Sequence, residues 1–250
     1  MTAKPTTIIG SLPSPFVRKV LAVCELKGLK YEIDPIVPFF GDEEFTRISP
    51  LRRIPIFIDD KVTLADSSVI CQYLEDRYPE PRVYPIDIVE RAEARWLEEF
   101  ADTRLADVCI WRIFYPAVVK PNVFASPRDL DGISRTIQEE LPEVLGYLEQ
   151  KAPESDFLFG ALSIADLALA VHLRNLRWAR AEPAPALAPK ALAWLARVEA
   201  HPALEPINVI ADQAIRTSPS EHRALLQRLG MNVTADTRGG TKPRRGPMTL

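Results

Sequence analysis

Hydrophobic and polar positions in residues 6–77 switch repeatedly between strand and helix patterns. Short β-rich runs occupy Thr6–Gly10, Tyr31–Val37, Ile56–Ile58 and Val62–Leu64. The last two runs flank the polar triplet 59–61, which predicts a hairpin. Between the runs, apolar residues recur at helical spacing in Pro15–Lys27, Asp42–Ile48 and Asp66–Arg77. The pattern predicts a β-α-β-α-β-β-α unit over residues 1–78.

The rest of the chain has a helical pattern throughout. Residues 79–87 contain three prolines and form the predicted linker. Helices are predicted over 88–115 (ended by Pro116), 127–150, 163–180, 189–200, 205–216 and 218–230. The sequence therefore predicts an α/β domain followed by an all-helical domain over residues 88–230.

Composition places the chain among soluble globular proteins, with 47% hydrophobic and 26% charged residues. A net charge of −3 gives no support for a nucleic-acid or anionic-membrane partner. No run of 18 apolar residues and no export signal occurs, so neither membrane spanning nor export is indicated. Three widely spaced cysteines suit a reducing cytoplasm, and with three scattered histidines they predict no metal site.

Residues 231–250 differ from the rest of the chain in charge. Four basic residues against Asp236 alone give this segment +3, which leaves −6 for the remaining residues. The segment has no aromatic residue and contains three of the chain's ten glycines. Such a composition buries little apolar surface, so we expect a disordered basic tail.

Ser14 stands where the first predicted strand passes into the first helix, directly before Pro15. A serine there can cap the helix and still donate its hydroxyl proton. Free N–H groups at the helix start also favour an anion such as a thiolate. Ordinary capping is the other reading, and residue type alone does not decide between them.

Two further segments carry candidate ligand contacts. Arg53, Ile54 and Pro55 precede the third strand, where a cis proline would expose the main chain of Ile54 to a ligand. A strand-edge proline is the alternative. Asp66 and Ser67 start the third helix, where they could hold the charged end of an amino acid or serve only as a cap.

The helical region offers one structural motif and several aromatic residues. Ser163 and Asp166 form a capping-box pattern, for which we expect a structural role. Aromatic residues fall on several helical faces within CIWRIFY, and some could line a cleft although most are expected in the core. The candidates for such an apolar pocket are Phe16, Trp111, Phe114 and Tyr115.

Four segments, taken in order, resemble the glutathione transferase superfamily. SPFVRKV (14–20) is similar to its catalytic segment, and RRIPIF (52–57) to its cis-proline segment. LADSSVICQYL (64–74) resembles its acid-serine motif, and FLFGALSIADLALA (157–170) its helical-domain folding signature. The resemblance covers about residues 6–216. It implies a thioredoxin-like domain followed by a helical-bundle domain.

The resemblance also implies roles for the candidate residues. Ser14 matches the catalytic serine that activates the thiol of glutathione, the co-substrate. Ile54, followed by Pro55, matches the residue whose main chain pairs with the cysteinyl part, and Arg53 lies near the glycyl end. Asp66 and Ser67 match the contacts of the γ-glutamyl end.

The implied activity is attack of glutathione on a small apolar electrophile by a cytoplasmic homodimer without a metal. Serine at position 14 argues against a thiol transferase, which needs a sulfur nucleophile. A zeta-like isomerase would carry a Ser-Ser-Cys run that is absent here. The alternative is a non-catalytic interaction protein with this fold. Two departures favour it, Arg52 where glycine is common and Asp66 where glutamate is common.

Overall fold

The structure, a computed structural model, describes residues 6–247 of the chain. Within them the chain forms two compact units, one of which is Arg82–Leu204. The other unit combines the residues up to Pro81 with those from Glu205 onward. The outermost residues of the predicted first domain (1–5) and of the predicted tail (248–250) lie outside the described part.

A four-stranded mixed sheet lies at the centre of the unit that contains the N-terminal region, called here the thioredoxin-like unit. In the spatial order β2-β1-β3-β4, its strands are β1 Thr6–Ile9, β2 Tyr31–Asp34, β3 Ile56–Ile58 and β4 Thr63–Leu64. β1 is parallel to β2 and antiparallel to β3, and β4 is antiparallel to β3. β2 ends before Pro35, which has no N–H to donate to a ladder.

Two helices connect these strands and a third follows β4, and each begins after a residue whose side chain accepts a main-chain N–H. They are α1 Pro15–Leu26, α2 Glu43–Ile48 and α3 Ser67–Arg77, capped by Ser14, Asp42 and Asp66. A short 3-10 turn, Pro38–Phe40, precedes α2. The observed order confirms the predicted β-α-β-α-β-β-α arrangement.

Apolar side chains of the strands and of α1 and α3 form the core of this unit. The buried set includes Ile8, Ile9, Val17, Leu21, Ile33, Ile56, Phe57, Ile70 and Leu74. Full burial of one such side chain contributes about 1.5–3 kcal/mol. This core fixes the strand ends and helix starts that carry the candidate residues.

The second unit, called here the helical unit, contains most of the predicted helices. They are α4 Ile88–Phe100, α5 Lys120–Phe124, α6 Leu130–Arg135, α7 Leu141–Lys151, α8 Ile164–Ala170, α9 Leu173–Trp178 and α10 Pro189–Glu199. A 3-10 turn, Pro185–Leu187, precedes α10. α8 is buried along its whole length, and α4 and α10 pack against it. Within residues 6–247, no helix has the length and apolar character needed to span a membrane.

The prediction that Pro116 ends the first long helix is wrong. α4 continues through the π-helical segments Ala101–Leu105 and Asp107–Val119 into α5. Pro116 lies inside the second of these segments, and the N–H of Lys120 donates to the carbonyl of Tyr115, five residues earlier. This wider winding changes which carbonyl faces the pyrrolidine ring, so the helix continues past the proline. A third π-helical segment, Thr136–Glu140, joins α6 to α7.

Ser163 and Asp166 form the capping box at the start of α8. The carboxylate of Asp166 is fully buried and accepts hydrogen bonds from the N–H of Ser163 (2.9 Å) and its hydroxyl (2.6 Å). It also accepts from Leu158 N (3.1 Å) and from Trp194 Nε1 (2.8 Å). One carboxylate therefore joins the loop before α8, the first turn of α8, and α10.

The chain after residue 204 belongs to the thioredoxin-like unit rather than to the helical one. This differs from the predicted helical domain over 88–230. The segment contains α11 Glu205–Ala214, a 3-10 turn Pro219–Glu221 and α12 His222–Arg228. α11 packs against α1, so the apolar face that the sequence shows over 205–216 is buried within the thioredoxin-like unit.

Residues 231–247 are also structured, which differs from the predicted disordered tail. Val233 forms a parallel bridge with Ile33 of β2, and Gly239 bridges Gly41. These contacts use main-chain groups, so they need none of the aromatic residues whose absence suggested disorder.

His222 joins α12 to the turn that follows β1. Its ring is 3% exposed. Nε2 lies 2.9 Å from the carbonyl of Ala214, and Nδ1 lies 3.4 Å from the hydroxyl of Ser11. Donation from Nε2–H to the carbonyl leaves Nδ1 to accept from Ser11, an arrangement that requires a neutral ring. Burial lowers the pKa of His222 below its ordinary value.

The buried ring predicts a loss of stability in acid. Below the ordinary histidine pKa of about 6.5 the unfolded chain binds a proton that the folded chain does not. The free energy of unfolding should therefore fall with decreasing pH, by up to about 1.4 kcal/mol per pH unit from this group. Urea titrations followed by circular dichroism at several pH values test this. His222→Gln should flatten the dependence, and identical pH slopes in both proteins would contradict the assignment.

Candidate functional site

The residues that the sequence predicts to contact a ligand lie at one end of the strands of the sheet. Because β3 is antiparallel to both β1 and β4, the last residues of β1 and β4 and the first residue of β3 lie at that same end. The chain leaving β1 leads to Ser14, the chain entering β3 contains Ile54 and Pro55, and the chain leaving β4 leads to Asp66. Residues far apart in sequence therefore meet there.

Ser14 is the N-cap of α1, with an extended conformation (φ −71°, ψ 125°) and a half-buried side chain. Its Oγ accepts a long hydrogen bond from the N–H of Val17, at 3.4 Å. No other hydrogen bond of this hydroxyl to a residue within 6–247 is found, so the proton remains available for donation. Ser14 thus combines a free O–H donor with the positive end of a twelve-residue helix.

The turn before Ser14 is held by a buried arginine that the sequence analysis did not single out. Arg18 has no solvent-exposed surface. Its Nη1 donates to the carbonyls of Leu12 (3.2 Å) and Pro13 (3.4 Å). The N–H of Ser14 itself donates to Ser11 O at 3.0 Å. The sequence gives no signal for this burial, because Arg18 and Lys19 stand together as an ordinary charged pair.

Gly10 brings α1 and the proline loop together. Its φ is +156°, and a Cβ at this position would lie 2.5 Å from Val17 Cγ2 and 3.2 Å from Ile54 Cβ. No larger residue fits without displacing one of them. The Ile54–Pro55 peptide bond, whose isomer the sequence left open, is cis. The main chain of Ile54 makes no hydrogen bond to another described residue and so can pair with a ligand.

Ser49 fixes the main chain of Arg53. Its hydroxyl, in a residue that is 1% exposed, donates to Arg53 O and accepts from Arg53 N, both at 3.0 Å. The Arg53 side chain is exposed and has no ion pair among residues 6–247. A free guanidinium at a fixed main-chain position can bind a carboxylate. Ser49 could not be recognised from the sequence, where it reads as the end of a weak helix.

Asp66 and Ser67 form the start of α3. Oδ1 of Asp66 accepts from the N–H groups of Ser68 (3.0 Å) and Val69 (3.1 Å), and the side chain is exposed. Ser67 is buried in the first turn. The buried Lys19 of α1 donates from Nζ to Ser68 Oγ at 3.2 Å, which places the start of α3 beside α1. Capping therefore occupies one oxygen of Asp66 and leaves the other for a cationic group.

Arg52 does not enter the site, although the sequence analysis gave it as a departure from the family pattern. It adopts φ +51°, the conformation for which glycine is favoured. Its guanidinium donates to Pro38 O (3.2 Å), Gly41 O (2.8 Å) and the hydroxyl of Thr46. The left-handed conformation costs about 1–2 kcal/mol, and these buried hydrogen bonds offset it.

The four aromatic candidates for an apolar pocket fall in different units. Phe16 is half-buried in α1. Phe114 and Tyr115 are 5% exposed in the π-helical segment of the helical unit, where Phe114 packs on Trp178 and Tyr115 on Trp111. The assignment of these residues to an electrophile pocket stays a prediction.

The cysteines offer no competing nucleophile. Cys24, Cys71 and Cys109 are all buried, and none forms a disulfide with another described residue. Burial raises the pKa of Cys24 and of Cys109 to about 12, so both thiols stay protonated near neutral pH. In the part of the chain that the structure describes, no three potential ligands are grouped as a metal site would require.

Comparison with known proteins gives matches over both units. The family of the glutathione S-transferase N-terminal domain matches residues 8–82, and that of the C-terminal domain matches residues 128–206. Glutathione S-transferase Z2 of Arabidopsis thaliana is 38% identical over 82 residues. That match covers 32% of this chain and only 37% of the relative, so it spans little more than a third of that protein.

Two longer matches extend over most of the chain. The uncharacterized GST-like protein YibF of Escherichia coli K12 is 26% identical over 177 residues, which are 70% of this chain and 84% of that protein. A glutathione S-transferase structure from Rhodospirillum rubrum F11 has a TM-score of 0.74 at 25% identity, covering 81% of this chain and 91% of the other. Together with the thioredoxin-like unit, the helical unit and the cis bond before Pro55, these matches show that the chain belongs to the glutathione S-transferase superfamily.

Proposed function

We propose that the thioredoxin-like unit binds glutathione and that Ser14 activates its thiol for attack on a small apolar electrophile. The observation that carries this proposal is the hydroxyl of Ser14, which caps α1 through a 3.4 Å bond and keeps its proton for donation. Donation to sulfur stabilises the thiolate over the thiol and so lowers the thiol pKa. The N-terminus of α1 acts in the same direction.

The remaining contacts are assigned by the chemistry of glutathione. The main chain of Ile54 pairs with the cysteinyl residue, held in place by the cis bond to Pro55. The exposed guanidinium of Arg53 binds the glycyl carboxylate. At the other end, Ser67 and the first turn of α3 bind the γ-glutamyl carboxylate, and Asp66 accepts from the ammonium group.

The reaction is a nucleophilic substitution or addition at carbon. Glutathione loses its thiol proton to solvent, and the sulfur then forms a C–S bond with the electrophile. With an aryl halide, the halide leaves with the electron pair of its bond to carbon. No redox step is involved, and the chain contributes no covalent intermediate. Ser14 acts on the charge that the sulfur carries before attack.

Calorimetry with millimolar glutathione tests the binding step, followed by turnover of a generic aryl halide. With the wild-type protein, the heat of binding should saturate as glutathione is added, and the aryl halide should be converted to its glutathione conjugate. Arg53→Ala should weaken glutathione binding roughly tenfold, because a charge-assisted hydrogen bond is lost. Arg216→Ala, which removes an exposed arginine with no ion pair in the described chain, should bind as wild type does. No heat with wild type would contradict the proposal and favour the non-catalytic interaction protein.

We further infer that the chain forms a homodimer. Exposed apolar side chains lie at the start of α4 and about two turns later, with Ile88 71%, Val89 69% and Trp96 56% exposed. Soluble monomers rarely leave such residues grouped in the open. Light scattering should give twice the chain mass of 28.1 kDa, and a mass of one chain would overturn the inference.

A further inference from the structure

The C-terminal segment 231–247, called here the C-terminal strap, pairs with the edge strand β2 of the sheet that carries the candidate site. Ile33 N donates to Asn232 O at 2.9 Å, and Thr234 N donates to Ile33 O at 3.1 Å. These bonds satisfy main-chain groups of β2, which is an edge strand of the four-stranded sheet. The strap therefore extends the sheet on its β2 side.

A single buried carboxylate anchors the strap. Asp34 has a side chain that is 3% exposed and ends β2. Its Oδ1 accepts from Arg223 Nη1 (3.0 Å) and from the hydroxyl of Thr237 (2.8 Å), and its Oδ2 accepts from Arg238 N (2.7 Å). The carbonyl of Asp34 accepts from Gly10 N at 2.8 Å. Asp34 therefore lies at the same end of the strands as the turn that leads from β1 to Ser14.

Beyond Asp34 the strap runs along the segment that precedes α2. Asp42 N donates to Arg238 O at 2.8 Å, and Arg244 N donates to Phe39 O at 2.7 Å. Gly240 N donates to Phe40 O, and the Arg244 guanidinium pairs with Glu43. Four of the five residues 39–43 therefore make these contacts with the strap.

Arg52 holds the same segment through other groups. Its guanidinium binds the carbonyls of Pro38 and Gly41 and the hydroxyl of Thr46. α2 follows directly, and Ser49, the residue after its last turn, fixes the main chain of Arg53. A displacement of residues 38–46 is therefore passed on to Arg53, the residue assigned to the glycyl carboxylate.

The strap also changes the charge around the first turn of α2. The first turn of α2 is acidic, with Asp42 as the cap and Glu43 and Glu44 after it. These carboxylates disfavour an anionic ligand nearby. Arg244 pairs with Glu43, and the hydrogen bond from Arg47, together with the charge of Arg238, lowers the pKa of Glu44. The basic C-terminal charge and the acidic body, separate features in the sequence, meet at this turn.

We propose that the C-terminal strap is a positioning element for the glycyl end of the glutathione site, anchored by Asp34 and acting through residues 38–46 on Arg53. This inference rests on the proposed glutathione binding. Loss of the strap contacts should raise the KM for glutathione and leave kcat nearly unchanged, because no hydrogen bond joins Ser14 to the strap among residues 6–247.

The test uses the full chain with a matched pair of double variants. Thr237→Val with Arg244→Ala removes one hydroxyl and one cation that contact the unit. Thr241→Val with Lys242→Ala removes the same groups from neighbouring exposed positions with no described contact. The first variant should show a roughly tenfold higher KM for glutathione, the effect of one or two hydrogen bonds, with kcat within about twofold of wild type. The second should behave as wild type.

Two further readouts separate positioning from general damage. Amide hydrogen exchange should become faster in residues 38–46 of the first variant and stay unchanged in α3. Thr237→Ser with Arg244→Lys, which keeps both a hydroxyl and a cation, should restore most of the KM. An unchanged KM, or a loss confined to kcat, would overturn the inference while wild-type glutathione binding still stands. Absence of glutathione binding by wild type would instead reject the proposed function.

Discussion

Replacing Ser14 by alanine is expected to lower kcat/KM for conjugation by roughly 10²- to 10³-fold, the usual cost of removing one donor to a reacting anion. The thiol of bound glutathione would return toward its free pKa of about 8.5. The pH–rate profile should therefore shift to higher pH, because the thiolate forms only there. Steady-state kinetics with an aryl halide over a range of pH measures both effects.

The control for this prediction is Ser14→Thr, which keeps a hydroxyl and the ability to cap α1. It should retain much more activity than Ser14→Ala. Loss of the weak cap in Ser14→Ala should cost about 1 kcal/mol of stability, so both variants should remain folded in the assay. Equal rates for wild type and Ser14→Ala would remove Ser14 from its assigned role.

Replacing Asp166 by alanine is expected to destabilise the helical unit by roughly 3–5 kcal/mol. The change leaves the N–H of Leu158, the N–H and hydroxyl of Ser163, and Nε1 of Trp194 without their buried acceptor. Each unsatisfied buried donor costs about 1–3 kcal/mol, partly relieved by local rearrangement. All four tryptophans lie in this unit, so urea unfolding followed by tryptophan fluorescence reports on it directly.

Two companion variants make the Asp166 result specific. Asp166→Asn keeps one acceptor oxygen but turns an NH2 group toward Ser163, so an intermediate loss of stability is expected. Asp131→Ala removes an exposed aspartate in α6 of the same unit and should change stability by less than about 0.5 kcal/mol. A loss below about 1 kcal/mol for Asp166→Ala would show that the buried network is not what holds α8 in place.

Much of the fold followed from local sequence signals. Strand and helix periodicity predicted the order of elements in the first 77 residues, because each short element has one clear apolar face. Pro116 was misjudged for a physical reason, since the rule that proline ends a helix assumes α-helical winding. The chain instead takes π-helical winding over Asp107–Val119. The choice between windings depends on packing, which periodicity does not contain.

Only those residues of the candidate site that stand at the start of a helix or a strand could be predicted from the sequence. Ser14 and Asp66 stand at helix starts, and Pro55 at the start of a strand, so turn and capping rules singled them out. The anchor Asp34 acts through partners 189 to 204 residues later in the sequence, and Arg18 acts through burial of a charged group. Ser49 acts through a loop contact with Arg53 that no capping or turn rule predicts.

The segment after residue 231 was misjudged because composition measures only what side chains can bury. The strap is held by main-chain hydrogen bonds to β2 and by one carboxylate, Asp34, neither of which requires apolar residues. One of its glycines allows a close approach to the main chain, because a Cβ at Gly240 would lie 3.3 Å from the carbonyl oxygen of Phe40. Edge pairing of this kind becomes visible only when the sheet order is known.

Titration of the thiol of glutathione in its complex with the protein shows whether Ser14 lowers the pKa of that thiol. The ultraviolet absorbance of the thiolate, measured against pH at saturating glutathione, gives the pKa of the bound thiol. Thiolate stabilisation by Ser14 should give a pKa at least about one unit below the free value of 8.5 in wild type and a value near 8.5 in Ser14→Ala. A bound thiol that ionises at the free value in wild type, or at the same lowered value in both proteins, would contradict it.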